Sequence, residues 1–95
     1  MKEKDLIFYI SERKTDLSFS NIPPYSAYPN LDFIYSDPFM IDGNIYCIKV
    51  NYKYFDIDLI KLSNFGIYPN GYECEYPPQK ILNSQLIEYF KLKLL

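Results

Sequence analysis

The chain contains no histidine. That absence removes Ser-His-Asp and Cys-His nucleophile pairs, imidazole acid–base catalysis and nearly every zinc enzyme. With three glycines there is no GxGxxG run and no phosphate-cradling loop ending in Lys-Ser/Thr. Arg13 is the sole arginine, which leaves little for clamping phosphates or carboxylates. Two cysteines, Cys47 and Cys74, are too few for a disulfide framework. The expectation is two free, buried thiols, with a bridge between them left open. The apolar run Leu6–Ile10 is too short for a signal peptide, and no later run approaches a membrane span. A cytoplasmic chain without a membrane partner is expected.

What is present is apolar and aromatic. Ninety-five residues that are 48% hydrophobic, 19% aromatic and 23% charged predict one folded domain over residues 1–95. Ile, Tyr, Lys and Asn are abundant, while Ala27 is the only alanine. The favoured residues have A/T-rich codons, as in a low-GC bacterial or phage gene, so part of the tyrosine excess needs no functional reason. Charge is unevenly distributed. Residues 15–48 carry Asp16, Asp32, Asp37 and Asp42 with no cation, and 54–79 carry Asp56, Asp58, Glu73 and Glu75 against Lys61. The ends of the chain, with Lys49 and Lys53, hold the positive charge, for a net −2. An acidic body disfavours nucleic acid as a partner.

Along the chain, Lys4–Ile10 reads as a strand apolar on both faces, and Asp16–Ser20 as a short strand with Leu17 and Phe19 inward. "NIPPYSAYPN", residues 21–30, has three prolines and excludes helix or central strand. Leu31–Ser36 resumes β character, and "SDP" at 36–38 signals a turn. Asp42-Gly43 between apolar runs predicts a hairpin with a type I′ turn. After it, Tyr46, Ile48, Val50, Tyr52 and Tyr54 share one face, and Ile45, Cys47 and Lys49 the other. The phase flips at Tyr54-Phe55, which asks for a bulge or a turn near "NYKY". "GIYPNGYECEY", residues 66–76, reads as a second hairpin with Pro69-Asn70-Gly71 in its loop. Leu82, Leu86, Tyr89 and Phe90 then recur with helical spacing, with Pro78 at the start and Lys91 and Lys93 at the end. The fold expected is α+β: an antiparallel sheet of about five to six short strands with one C-terminal amphipathic helix on one face.

The stretch Glu73-Cys74-Glu75 looks at first like a reactive or metal-binding trio. In a strand, however, Tyr72, Cys74 and Tyr76 point one way and Glu73 and Glu75 the other. Nearby carboxylates would also raise the thiol's pKa and blunt it. A core thiol is the reading that survives. Glu73 and Glu75 remain as one pair of strand carboxylates, and Asp56 and Asp58 as another. If their strands pair, the four would form one acidic patch, against the plainer reading that they keep strand surfaces soluble. Tyr25 and Tyr28 stand out because they sit on the stiff proline loop, where rigid rings make good anchors for a partner. The plain alternative is that the loop folds back and its tyrosines cap the core.

These residues point to a non-enzymatic protein, without cofactor or metal, that binds and inhibits a partner with a basic surface. An immunity protein neutralising a bacterial nuclease toxin fits that description, with Asp56, Asp58, Glu73, Glu75, Tyr25 and Tyr28 as the contact residues. A phage-encoded inhibitor of a host defence enzyme would look the same. A small metal-dependent enzyme using Asp56 and Asp58, and a homo-oligomeric structural module, are the other classes.

Overall fold

The computed structural model describes residues 2–13, 17–63 and 71–94. Among them, a helix α1 (Glu3–Arg13) opens the chain, followed by strands β1 (Phe19–Ser20), β2 (Phe33–Ser36), β3 (Phe39–Ile41), β4 (Asn44–Asn51), β5 (Ile57–Ser63), β6 (Glu73–Cys74) and β7 (Gln79–Lys80). Helix α2 (Ser84–Leu94) closes it. All strand pairs are antiparallel, in the order β1-β2-β4-β5-β6, with β3 also on β4 and β7 also on β5. The α+β arrangement and the C-terminal helix are as the sequence predicts, although the sheet has seven strands among the described residues.

The stretch Lys4–Ile10, expected as a strand, is helical. Leu6 is wholly buried while Phe8, two residues on, faces solvent, which no strand face would allow. Tyr9 and Ile10, three and four residues after Leu6, pack on the same core. Glu3 and Asp5 in the first turn suit the positive end of the helix dipole, and Glu3 Oε1 also accepts the Leu82 N–H at 2.8 Å.

Asp42 and Gly43 have φ of 51° and 80°, so the β3–β4 connection is the expected type I′ turn. The phase flip near "NYKY" is a turn between β4 and β5. Asn51 N–H donates to the Asp56 carbonyl and Phe55 N–H to the Asn51 carbonyl, both at 2.9 Å. Asn51 Oδ1 accepts the N–H groups of Lys53 and Tyr54. Phe55 closes the turn at φ 56°, an uncommon conformation for a bulky residue. Tyr52 and Tyr54, expected to continue the face of Tyr46, instead sit exposed in this turn.

"SDP" is a bulge rather than a reversal. Tyr35 pairs with Lys49, but Phe39 pairs with Tyr46, so three residues (36–38) oppose two (47–48). Ser36 seals the irregularity: its Oγ accepts the Ile48 N–H at 2.8 Å and donates to the Asp37 carbonyl at 3.0 Å. The extra residue also changes the phase. Phe33 and Tyr35 lie on one face of the sheet and Phe39 on the other.

Helix α2 starts later than its apolar stripe suggested. Asn83 caps it, with Oδ1 accepting the N–H groups of Gln85 and Leu86 at 2.9 and 3.1 Å. Pro78 therefore lies before β7, not at the helix start, and Leu82 is exposed outside the helix. Leu86 and Phe90 are the buried stripe, with Lys91 and Lys93 in the last turn as expected. The predicted hairpin over 66–76 lies partly outside the described residues; β5 and β6 do pair, Leu62 with Cys74 and Ser63 with Glu73.

The sheet has two unlike sides. Both helices pack on one, where Leu6, Leu86 and Phe90 join Ile34, Phe39, Tyr46, Ile48, Val50, Ile57 and Leu59. On the other, Tyr35, Cys47, Ile60 and Leu62 are buried, with Tyr25, Phe33, Ile45, Tyr72 and Cys74 packed around them. No described helix contributes to this second cluster.

Candidate functional site

The helix-free side gathers most of the residues that sequence reasoning singled out. The proline loop, residues 21–30, crosses it with Pro23 and Pro24 buried. Its ends are tied together: Asn30 N–H donates to the Asn21 carbonyl at 2.8 Å, and Asn21 Nδ2 donates to the Phe33 carbonyl on β2 at 2.8 Å. A long loop is thus held as a compact surface feature. Ser26 Oγ accepts the Tyr28 N–H within it.

The two loop tyrosines have different fates. Tyr25 folds back onto the sheet, edge-on to Tyr35 with ring centroids 5.9 Å apart. Burial, and then the neighbouring Tyr35, hold the Tyr25 hydroxyl far above its ordinary pKa, so it stays protonated. Tyr25 is therefore a cap on the core. Tyr28 points outward and is 77% exposed.

Around these lies a shallow concavity of ≈ 650 Å³ lined by Tyr25, Tyr28, Leu31, Tyr35, Lys49 and Tyr76, among others. Leu31 is 82% and Tyr76 79% exposed, so three large apolar or aromatic side chains stand free at one place. Lone exposed apolar residues are ordinary; a group of them around a concavity is what marks a contact surface. Lys49 spans the floor, its ammonium 4.0 Å from the Phe33 ring centroid.

Cys74 and Tyr76 meet at this edge, on the shared face expected from strand alternation. The Cys74 thiol donates to the Glu75 carbonyl at 3.8 Å, and the Cys74 charge raises the Tyr76 hydroxyl's pKa. Burial raises the Cys74 thiol, against the pull of Tyr76 and Lys49. Cys47 is deeper: burial first, then Cys74, push its thiol up to about 12. Both cysteines are free. Strand β5 runs between them, with Cys47 opposite Ile60 and Cys74 opposite Leu62, which separates their Cα atoms by roughly 12 Å, more than a disulfide spans. Neither thiol is a nucleophile at neutral pH.

The four candidate carboxylates do not form one patch. Glu73 lies opposite Ser63, and Glu75 N–H donates to the Lys61 carbonyl, so these two share the face of Lys61 and Ser63. Asp58 lies opposite Lys49 and Lys80, on the other face. The ion pairs agree: Glu75 with Lys61 at 4.0 Å, Asp56 with Lys80 at 3.4 Å. Both are solvent-exposed pairs and add little to stability. Glu73 and Asp58 are also roughly 17 Å apart along β5. Only Asp56 and Asp58 accompany the tyrosines.

A second concavity, of ≈ 440 Å³, lies on the helix side, where Asp5, Asp42 and Asn44 face Lys61. Its cation already pairs with Glu75, and it offers no exposed ring face. Among the described residues no three His, Cys, Asp or Glu side chains converge to hold a metal, and no helix is long and apolar enough to cross a membrane.

Sequence reasoning missed Leu31, Lys49 and Tyr76 as members of this surface. Tyr76 was within reach, since it alternates with Cys74. Leu31 carried no signal because an isolated leucine after a loop looks like the start of a strand. Comparison with known protein families, curated proteins and solved structures found no match.

Proposed function

We propose that this chain is a non-enzymatic binding protein that holds a basic protein partner on its helix-free face and blocks it. An immunity protein neutralising a nuclease toxin is the biological form this would take. The observation that carries the reading is the tyrosine-lined concavity ringed by exposed Tyr28, Leu31 and Tyr76. Rings held on a stiff, internally bonded loop lose little entropy when a partner arrives.

Charge supports the choice of a basic partner. The segment from Asn21 to Pro38, which forms most of the surface, carries Asp32 and Asp37 and no cation. Asp56 and Asp58 lie on the same side of the sheet but are matched by Lys80 and Lys49, so the unmatched negative charge is that of Asp32 and Asp37. Such charge speeds encounter and sets orientation, while the rings supply the desolvated contacts. Glu73 and Glu75, on the opposite face, take no part in this contact.

The test is site-directed photo-crosslinking. A benzophenone side chain replaces Tyr28 in one variant and Glu88, on the exposed side of α2, in another. Capture of one basic protein from position 28 and not from 88, with that protein's activity suppressed by the wild-type chain, is the expected result. Capture at both positions alike, or of no basic protein at 28, overturns the proposal.

A further inference from the structure

Among the described residues, the left-handed backbone positions are Asp42, Gly43, Phe55 and Gly71. Glycine and aspartate tolerate that region, and a large aromatic residue disfavours it. Something must hold Phe55 there. Its ring supplies the reason: it packs against the helix-side core, with the Lys91 ammonium of α2 5.9 Å from its centroid.

The place of this turn gives the strain a consequence. Asn51–Phe55 is a single turn closed by the Phe55 N–H on the Asn51 carbonyl, with Asn51 Oδ1 holding Lys53 and Tyr54. A left-handed residue that ends a turn in this way is usually glycine. While the Phe55 ring lies on the helix side, Tyr52, Lys53 and Tyr54 border a hollow of ≈ 350 Å³ with Leu31, Asp32 and Phe33. Phe33 belongs to the helix-free side. The turn therefore spans the end of the sheet, its buried ring on one side and its exposed tyrosines bordering the other.

We propose that Phe55 is a two-position latch that couples the seating of α2 to the shape of this hollow. Burial of the ring against the helix-side core favours the left-handed backbone. Backbone sterics favour the ordinary region, which withdraws the ring. The two effects oppose each other and are of similar size, so neither position is locked. A firmly seated α2 keeps the ring in; a loosened α2 lets it go, and Tyr52 and Tyr54 move with the backbone. The coupling is reciprocal, so a contact that requires the seated turn steadies α2. Phe55 does not line the hollow and acts there as a positioning residue. The latch needs no partner and stands apart from the reading of the helix-free face.

The test uses backbone ¹³C and amide shifts of the labelled whole chain. Phe55→Gly removes the ring and leaves the left-handed region open, so shifts of residues 31–33 and 52–54 should stay near those of the wild type. Phe55→Ala removes the ring and penalises that region, so the same shifts should move. Leu86→Val trims the buried stripe of α2 and should move residues 52–54 part of the way towards the Phe55→Ala values. In the Phe55→Gly background the same trim should leave them still. Lys91→Ala acts at the surface of α2, should give a smaller displacement of the same kind, and serves if Leu86→Val does not fold.

Matching shifts in Phe55→Gly and Phe55→Ala would show that the backbone at residue 55 carries no load, and would overturn the proposal. So would residues 52–54 that ignore the α2 variants, or that follow them equally in the Phe55→Gly background.

Discussion

On one face of the sheet, Ile48, Val50, Ile57 and Leu59 meet side chains from two helices; on the other, Tyr35, Cys47, Ile60 and Leu62 meet a loop. The helix side is sealed by hydrocarbon and by ring pairs such as Tyr9 on Phe39 and Phe19 against Phe90. The loop side is sealed by rings and thiols around Ile60 and Leu62, with Tyr25 edge-on to Tyr35. The first arrangement is the larger apolar core and derives its strength from area. The second is thinner, and its loop is held in place by the Asn21 hydrogen bonds to Asn30 and Phe33. The contrast assigns the larger apolar core to one side and, on the reading proposed above, recognition to the other.

The largest perturbation should come from the helix side. Phe90→Ala removes a wholly buried ring and should cost roughly 3–5 kcal/mol, measured by urea denaturation. A loss under 1 kcal/mol would mean that α2 is not what seals this face. Next comes the seam. Ser36→Ala leaves the Ile48 N–H buried without its acceptor and should cost about 1–3 kcal/mol, read in the same way. An unchanged midpoint there would show that the bulge closes without the hydroxyl.

The loop side should respond more gently. Tyr25→Phe keeps the ring and its edge-on contact with Tyr35 and should cost no more than about 1 kcal/mol by the same denaturation. The same side should respond to alkali. Cys47 keeps its proton up to about 12 when folded, against an ordinary 9.0, so above pH 9 the unfolded chain ionises first. Stability contributed by the neutral thiol is whole below pH 9 and falls as pH climbs towards 12. Cys47→Ala should flatten that limb of the denaturation profile; an identical slope would show that the thiol is not its source. Smallest of all, Tyr28→Ala should change stability by less than about 0.5 kcal/mol while abolishing suppression of the captured protein's activity. A large destabilisation would make Tyr28 structural and remove the contrast between the faces.

Much of the helix side was legible beforehand because periodicity speaks directly to it. Alternation in 44–50 placed Tyr46, Ile48 and Val50 together, and the spacing of Leu86 and Phe90 announced a helix. The Asp42-Gly43 turn followed from backbone sterics alone. The run Leu6–Ile10 misled because five consecutive apolar residues satisfy both periods. The acidic Glu3 and Asp5 before it were the helix signal, and only the exposure of Phe8 decides the matter.

The candidate surface was legible in part. Tyr25 and Tyr28 could be picked out by their place on a proline loop, yet nothing in the chain foretold that one would turn in and the other out. The carboxylates illustrate a sharper limit. Whether Glu73 joins Asp58 depends on whether it lies opposite residue 62 or 63, and a shift of one residue moves a side chain through the sheet. Pairing register is a long-range property that local spacing does not contain.

The additional residue between Tyr35 and Phe39 has a genetic corollary. Removing the codon for Asp37 would leave two residues opposite two, a regular ladder in which Phe39 still lies opposite Tyr46 and beside Tyr9. Such a mutant would keep every ring on its neighbour and lose the bend and added twist that the surplus residue gives the strand.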